Sequence, residues 1–123
     1  MILEIDDTKT TTDVQDRFSL CYPSLKLAFC RRRHGWEKVC RESDIIYDTV
    51  LLAQIRKVHE PGTIEVKSWS KVGAVEKEFR NKFGLNVQIL YKSGDTWIQT
   101  GKSDNVTIDF LLKRVSSERR ALL

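Results

Sequence analysis

The sequence predicts an α/β (α+β) fold, with two tandem βαβ-containing repeats packed into one compact domain. Three observations lead there. Apolar positions recur in the same order in the two halves of the chain. Each half passes from period-two spacing to helical spacing and back to period two, the alternation expected of strand, helix and strand. A Pro61-Gly62 turn stands between the halves. The expected division is a first β-α-β-β-α repeat over 1–59, a Pro-Gly linker at 60–62, a second repeat over 63–115 and a C-terminal tail over 116–123.

Internal repeats change the whole reading of a fold, so the alignment of the halves comes first. Leu3-Glu4-Ile5 meets Ile64-Glu65-Val66, Val14 meets Val75, Phe18 meets Phe79 and Tyr22 meets Phe83. After one inserted residue, Leu25, Leu27 and Phe29 meet Leu85, Val87 and Ile89, and Trp36 then meets Trp97. Thr49-Val50 is set against Thr107-Ile108.

Each half opens on a short alternating strand, over 2–5 and 63–67. A helix follows. In the first half Thr12 is the expected N-cap, with Gln15 completing a capping box. Val14, Phe18 and Cys21 or Tyr22 share one helix face, and Pro23 ends it. In the second half Val72, Val75, Phe79 and Phe83 make the face, and Gly84 sits where a left-handed C-cap belongs. Next come strands carrying Leu25, Leu27 and Phe29, and Leu85, Val87 and Ile89. Strand, helix and strand with short links predict a right-handed crossover with parallel strands. Ser93-Gly94-Asp95 predicts a hairpin between Tyr91 and Trp97-Ile98, with Arg33-His34-Gly35 as its counterpart. Short helices over 49–58 and 107–115 are expected to close the two repeats. One unit is too small to bury its own sheet face, so the two are expected to pack together about a pseudo-twofold axis.

Composition narrows the class further. A chain of 123 residues can bury a core without disulfides or metal. No apolar run approaches the roughly 18 residues that span a bilayer. Met1 to Asp7 lacks the basic and apolar regions of a signal peptide, so a cytoplasmic location without membrane partners is expected. Cys21, Cys30 and Cys40 are odd in number and lie in one half, which predicts free thiols. The net charge of +4 is mild and favours acidic partners slightly.

Val-x-x-x-Phe, Phe-Gly-Leu-x-Val-Gln-Ile and Thr-Val…Ile-Arg are carried here by Val75 and Phe79, by Phe83 to Ile89, and by Thr49-Val50 and Ile55-Arg56. With these residues the chain resembles an uncharacterised family of small bacterial proteins built from two tandem β-α-β-β-α units. The resemblance covers most of the chain and implies the fold and a bacterial origin. It transfers no catalytic residue. The basic ending Glu118-Arg119-Arg120 departs from the family pattern.

The motifs of chemistry are sparse. The glycines are too dispersed for a phosphate cradle. There is no Gly-x-Ser-x-Gly elbow and no His-Glu-x-x-His. The two histidines, His34 and His59, both fall at predicted turns. Cys21, Cys30, His34 and Cys40 lack the Cys-x-x-Cys knuckle of a zinc site. Asp13 and Asp16 suit the first turn of a helix by favouring its dipole. No cofactor is expected.

The most concentrated positive stretch runs from Arg31 to Lys38 and encloses Trp36. Arg31, Arg32, Arg33 and Lys38, with Arg41 beyond them, are the candidate anion-binding residues. Clustered charge suits phosphate, and an aromatic suits a stacked base. If these residues continue a strand, Arg31 and Arg33 share a face and Arg32 opposes them. The expected function is therefore a non-enzymatic protein-interaction module with an unknown protein partner. Weak nucleic-acid binding through the basic turn is the alternative.

Overall fold

A computed structural model describes residues 1–33, 39–100 and 105–121, with the backbone alone over 117–121. The first half contains strand β1 (Ile2–Ile5), helix α1 (Thr11–Cys21) and strands β2 (Leu25–Cys30) and β3 (Ile45–Ile46). A single 3-10 turn, Leu52–Gln54, follows. The second half contains β4 (Gly62–Glu65), α2 (Val72–Phe83), β5 (Asn86–Ser93), β6 (Thr96–Gln99) and α3 (Ile108–Ala121). The expected mixed α/β class is what the chain adopts.

The strand pairing differs from the expected crossover. β1 pairs with β4 in a two-stranded sheet, and β3-β2-β5-β6 form a second sheet in that order. Every pairing is antiparallel. β1 and β2 thus lie in different sheets, and among the described residues no parallel βαβ unit forms. β1 pairs with β4 and β2 with β5 across the two halves, whereas β3 and β6 pair within their own half. The helical link between β1 and β2 allows either arrangement, and antiparallel ladders are slightly more stable per residue. The exchange joins both halves in one core. Leu25, Leu27, Phe29, Val87, Ile89 and Tyr91 line one face of the larger sheet, and they pack with Leu3, Ile5 and Ile64 of the smaller one.

Both long ladders have a symmetric register. Leu27 faces Ile89 and Phe29 faces Val87. Ile2 faces Glu65 and Glu4 faces Thr63, with Leu3 against Ile64 between them. The same pattern recurs where α1 and α2 begin. Thr11 N–H donates to the Val50 carbonyl, and Val72 N–H donates to the Val106 carbonyl, both at 2.9 Å. Thr10 bridges Leu51, and Lys71 bridges Thr107. These bonds set Val50 against Val106 and Leu51 against Thr107, two residues away from the alignment expected for Thr49-Val50.

The expected helix faces are buried: Val14 and Phe18 on α1, and Val72, Val75, Phe79 and Phe83 on α2. Of the two candidates for the last position of the α1 face, Tyr22 packs against the core and Cys21 is exposed. Pro23 follows the end of α1 as expected, and Gly84 caps α2 at φ +65°. The N-cap of α1 is Thr10 rather than Thr12. Its hydroxyl accepts from Asp13 N–H at 3.1 Å, while the Asp13 carboxylate accepts from Thr10 N–H at 2.8 Å. A carboxylate at this position is also favoured by the helix dipole. Gln15, freed from capping, donates to the Leu27 carbonyl at 2.9 Å and ties α1 to β2.

The helix expected over 49–58 is absent. Only the 3-10 turn forms there, because Arg56 is drawn inward to distant carbonyls and Asp7. Its counterpart in the second half is the full helix α3. The hairpin at Ser93-Gly94-Asp95 forms between β5 and β6, with Ser93 facing Thr96 and Gly94 at φ +60°. Its expected counterpart, Arg33-His34-Gly35, falls partly outside the described residues. The strands on either side of it, β2 and β3, are fourteen residues apart in the chain, so they are not joined by a tight turn.

Candidate functional site

The basic segment begins where the larger sheet ends. β2 stops at Cys30, although Arg31 N–H still donates to the Asp44 carbonyl at 2.7 Å. Arg31, Arg32 and Arg33 follow as a bend rather than as strand, so strict alternation of their side chains does not govern them. All three are exposed. Arg32 Nε lies 3.7 Å from the Asp44 carboxylate. Arg31 instead lines a cleft with residues from elsewhere in the chain. Arg41 is exposed, and Lys38 and Trp36 lie outside the described residues. The structure therefore divides the basic cluster between an ion pair, a cleft and open solvent.

That cleft has a volume of about 480 Å³ and lies beside the end of the β2–β5 ladder. Arg31, Arg56 and Lys57 are among its lining residues, with Asn86 and Gln54 as neutral polar groups. Ile46, Ile55 and Val58 supply apolar wall. Among the described residues, no carboxylate lines it.

Arg56 is held in place by groups remote in sequence. Its side chain is fully buried. Nε and Nη2 donate to Asp7 Oδ1 at 3.0 and 2.7 Å, and Nη1 donates to the carbonyls of Glu60 and Phe83 at 3.0 and 3.3 Å. A planar fork suits several acceptors at once, which favours Arg over Lys at such a position. His59 Nδ1 lies 2.8 Å from Asp7 Oδ2. Partial desolvation pushes the Asp7 carboxyl upward, but the hydrogen bonds and charges of Arg56 and His59 outweigh it and hold the carboxyl below its ordinary range. Asp7, Arg56 and His59 come from two loops that the alternating pattern leaves unconnected. The one sequence signal was that Ile55-Arg56 belongs to the family-like pattern.

The cysteines depart from the expected free thiols. Cys30 and Cys40 form a disulfide, both residues being buried, and Cys21 is the free cysteine, exposed on α1. Their pairing removes the cysteine count as an argument for a reducing compartment. Cys40 is also held by β6. Its N–H donates to the Gln99 side-chain oxygen at 2.9 Å, and its carbonyl accepts from the Gln99 amide at 2.8 Å. The disulfide and this amide pair fasten the segment after β2 to the sheet. Even spacing between cysteines does not announce such a bond, because it depends on where the segment returns.

A second polar cluster is buried where β6 ends. Glu76 on α2 accepts from Ile89 N–H at 2.8 Å and from the Gln88 amide at 3.1 Å. The Thr100 hydroxyl donates to the Ile89 carbonyl at 2.7 Å. Glu76 thereby satisfies a backbone donor of β5 from the side chain of a helix, a reason for a carboxylate to be buried there. Among the described residues no group of three or more His, Cys, Asp or Glu is placed to hold a metal ion, and no helix is long and apolar enough to cross a membrane.

β6 is one edge strand of the larger sheet, with β3 at the opposite edge. Alternation along an antiparallel pair turns the backbone groups of Trp97 and Gln99 away from β5. This agrees with Thr100 N–H donating inward to the Ile89 carbonyl. Trp97 and Ile98 are 38% and 39% exposed, and they project to opposite faces. Lys26 Nζ lies 5.7 Å from the centroid of the Trp97 ring, and exposed Lys92 faces Trp97 in the ladder. Comparison with protein-family models, with curated proteins and with solved structures finds no match.

Proposed function

We propose that this chain is a non-enzymatic interaction module, built on a duplicated scaffold, whose partner is a protein that lays an extended acidic segment along β6. The observation that carries the reading is the edge of β6. It presents outward backbone groups at Trp97 and Gln99, an exposed apolar side chain to each face, and the cations Lys26 and Lys92 beside Trp97. Strand addition of this kind takes affinity from main-chain hydrogen bonds and specificity from alternating side chains. The duplication is supported by the symmetric register of both ladders and by the matching bonds at the starts of α1 and α2.

The test is a titration with extended peptides in which Asp or Glu alternates with apolar residues, read by Trp fluorescence and amide hydrogen exchange. Binding should slow exchange at Trp97 and Gln99, and Ile98→Glu should abolish it by placing like charge on the edge. Lysine-containing peptides of the same pattern should bind at least tenfold more weakly. Protection at the exposed aromatics Trp69 and Phe110 in place of β6 would reject this interface. Nucleic-acid binding through the basic turn is the weaker reading, because Arg32 pairs with Asp44 while Arg31 lines a cleft. Binding of duplex DNA or RNA lost on combined Arg31/Arg33→Ala substitution would restore it.

A further inference from the structure

We infer that the cleft beside the end of the β2–β5 ladder is a binding site for a small organic anion: an apolar body bearing a phosphate or carboxylate head. Three features of its lining lead there. The first is charge. Arg31 and Lys57 both line the cleft and both are exposed, and among the described residues neither has a carboxylate within ion-pair reach. Lys9, Arg32, Arg56, Lys82 and Lys113, by contrast, each have an acidic partner. Two cations brought together without counter-charge repel each other, and an anion between them removes that cost.

The second feature is the apolar wall of Ile46, Ile55 and Val58. A bare inorganic ion gains nothing from that wall, whereas an aromatic or aliphatic body does. The volume of about 480 Å³ falls within the range of small-molecule sites. The third is rigidity. Arg56 is fixed by Asp7 and by the Glu60 and Phe83 carbonyls. It therefore holds its neighbours Ile55 and Lys57 against the sheet end. Gly84, another lining residue, is locked as the cap of α2 and packs against Val58, whose Cβ would lie 3.4 Å from an added methyl group. The walls are thus set before a ligand arrives, which lowers the ordering cost of binding.

The site shares no residue with the β6 edge, so the two readings stand or fall separately. The experiment is a ¹⁵N chemical-shift titration of the full chain with phenyl phosphate, benzoate, inorganic phosphate and benzyl alcohol. Phenyl phosphate or benzoate should move the amides of Ile46, Ile55, Val58 and Asn86 together, with saturation. Inorganic phosphate and benzyl alcohol, each lacking half of the recognised chemistry, should bind at least about tenfold more weakly. A tenfold loss corresponds to about 1.4 kcal/mol. Preference for phenyl phosphate over benzoate identifies the head as phosphate, and the reverse identifies carboxylate. Arg31→Ala and Lys57→Ala should each weaken binding severalfold without changing the circular dichroism, because both side chains are exposed. Equal binding of benzyl alcohol would overturn the inference, as would shifts scattered over Arg17, Arg33 and Arg41 without saturation. So would absence of any shift, with the fold shown intact by the dispersion of the spectrum.

Discussion

Replacing Arg56 by Met tests the account of how the loop after the 3-10 turn is held. The substitution keeps an apolar stem and removes four donated hydrogen bonds: two to Asp7 and one each to the carbonyls of Glu60 and Phe83. The acceptors differ in what they lose. Asp7 and Glu60 can turn to water, since the Asp7 side chain is 35% exposed and Glu60 is exposed. The bond to Phe83 is buried, and a buried acceptor left without a donor costs about 1–3 kcal/mol. Looser packing where the guanidinium stood adds about 1 kcal/mol. The expected loss is therefore about 2–4 kcal/mol. With a urea dependence of about 2 kcal/mol per molar, the unfolding midpoint should fall by about 1–2 M at unchanged slope. Arg56→Lys should recover little of this, because an ammonium cannot serve three acceptors in the fork geometry. An unchanged or higher midpoint for the Met variant would refute the reasoning. It would mean that burying the guanidinium costs as much as its bonds return, an outcome known for other buried ion pairs.

Phe18→Ala and Phe79→Ala each remove a fully buried ring and should each cost about 3–5 kcal/mol in urea unfolding; no effect at either would displace the assigned helix faces. Gly84→Ala places a side chain at φ +65° and should lower stability by about 1–2 kcal/mol, whereas Gly94→Ala tests the same strain at a site with open space around it. In the folded chain the bonds from Arg56 and His59 hold the Asp7 carboxyl, and the bonds from Thr10 hold the Asp13 carboxyl, below the ordinary aspartate value. Their contribution to stability should be full above that value and disappear as pH falls through the lowered folded values. Unfolding midpoints measured from about pH 5 to about pH 2 should fall accordingly, and Asp7→Asn should flatten that dependence. Thiol titration of the unreduced, denatured chain should count one thiol, Cys21, and three after reduction; three without reduction would remove the Cys30–Cys40 bond.

The amino-acid sequence alone determined those features whose physics is local. Side-chain period set the order of strands and helices and the buried faces carrying Phe18, Phe79, Leu27 and Val87. Gly84 and Gly94 were legible because a left-handed cap and a tight hairpin need backbone conformations that other residues reach at a cost. Only the tertiary structure decided which strands pair. The apolar grammar of β1 and β2 suits a parallel crossover as well as an exchange between halves, and the ladder that closes one common core is chosen by contacts some 60 residues apart. The same holds for the helix lost over 49–58. Its local pattern was helical, but a buried Arg56 bound to Asp7, 49 residues away, outweighs local preference. The candidate cleft was half visible, in Arg31. Lys57 and the apolar wall join it through the return of a distant segment, a placement that no spacing along the chain encodes.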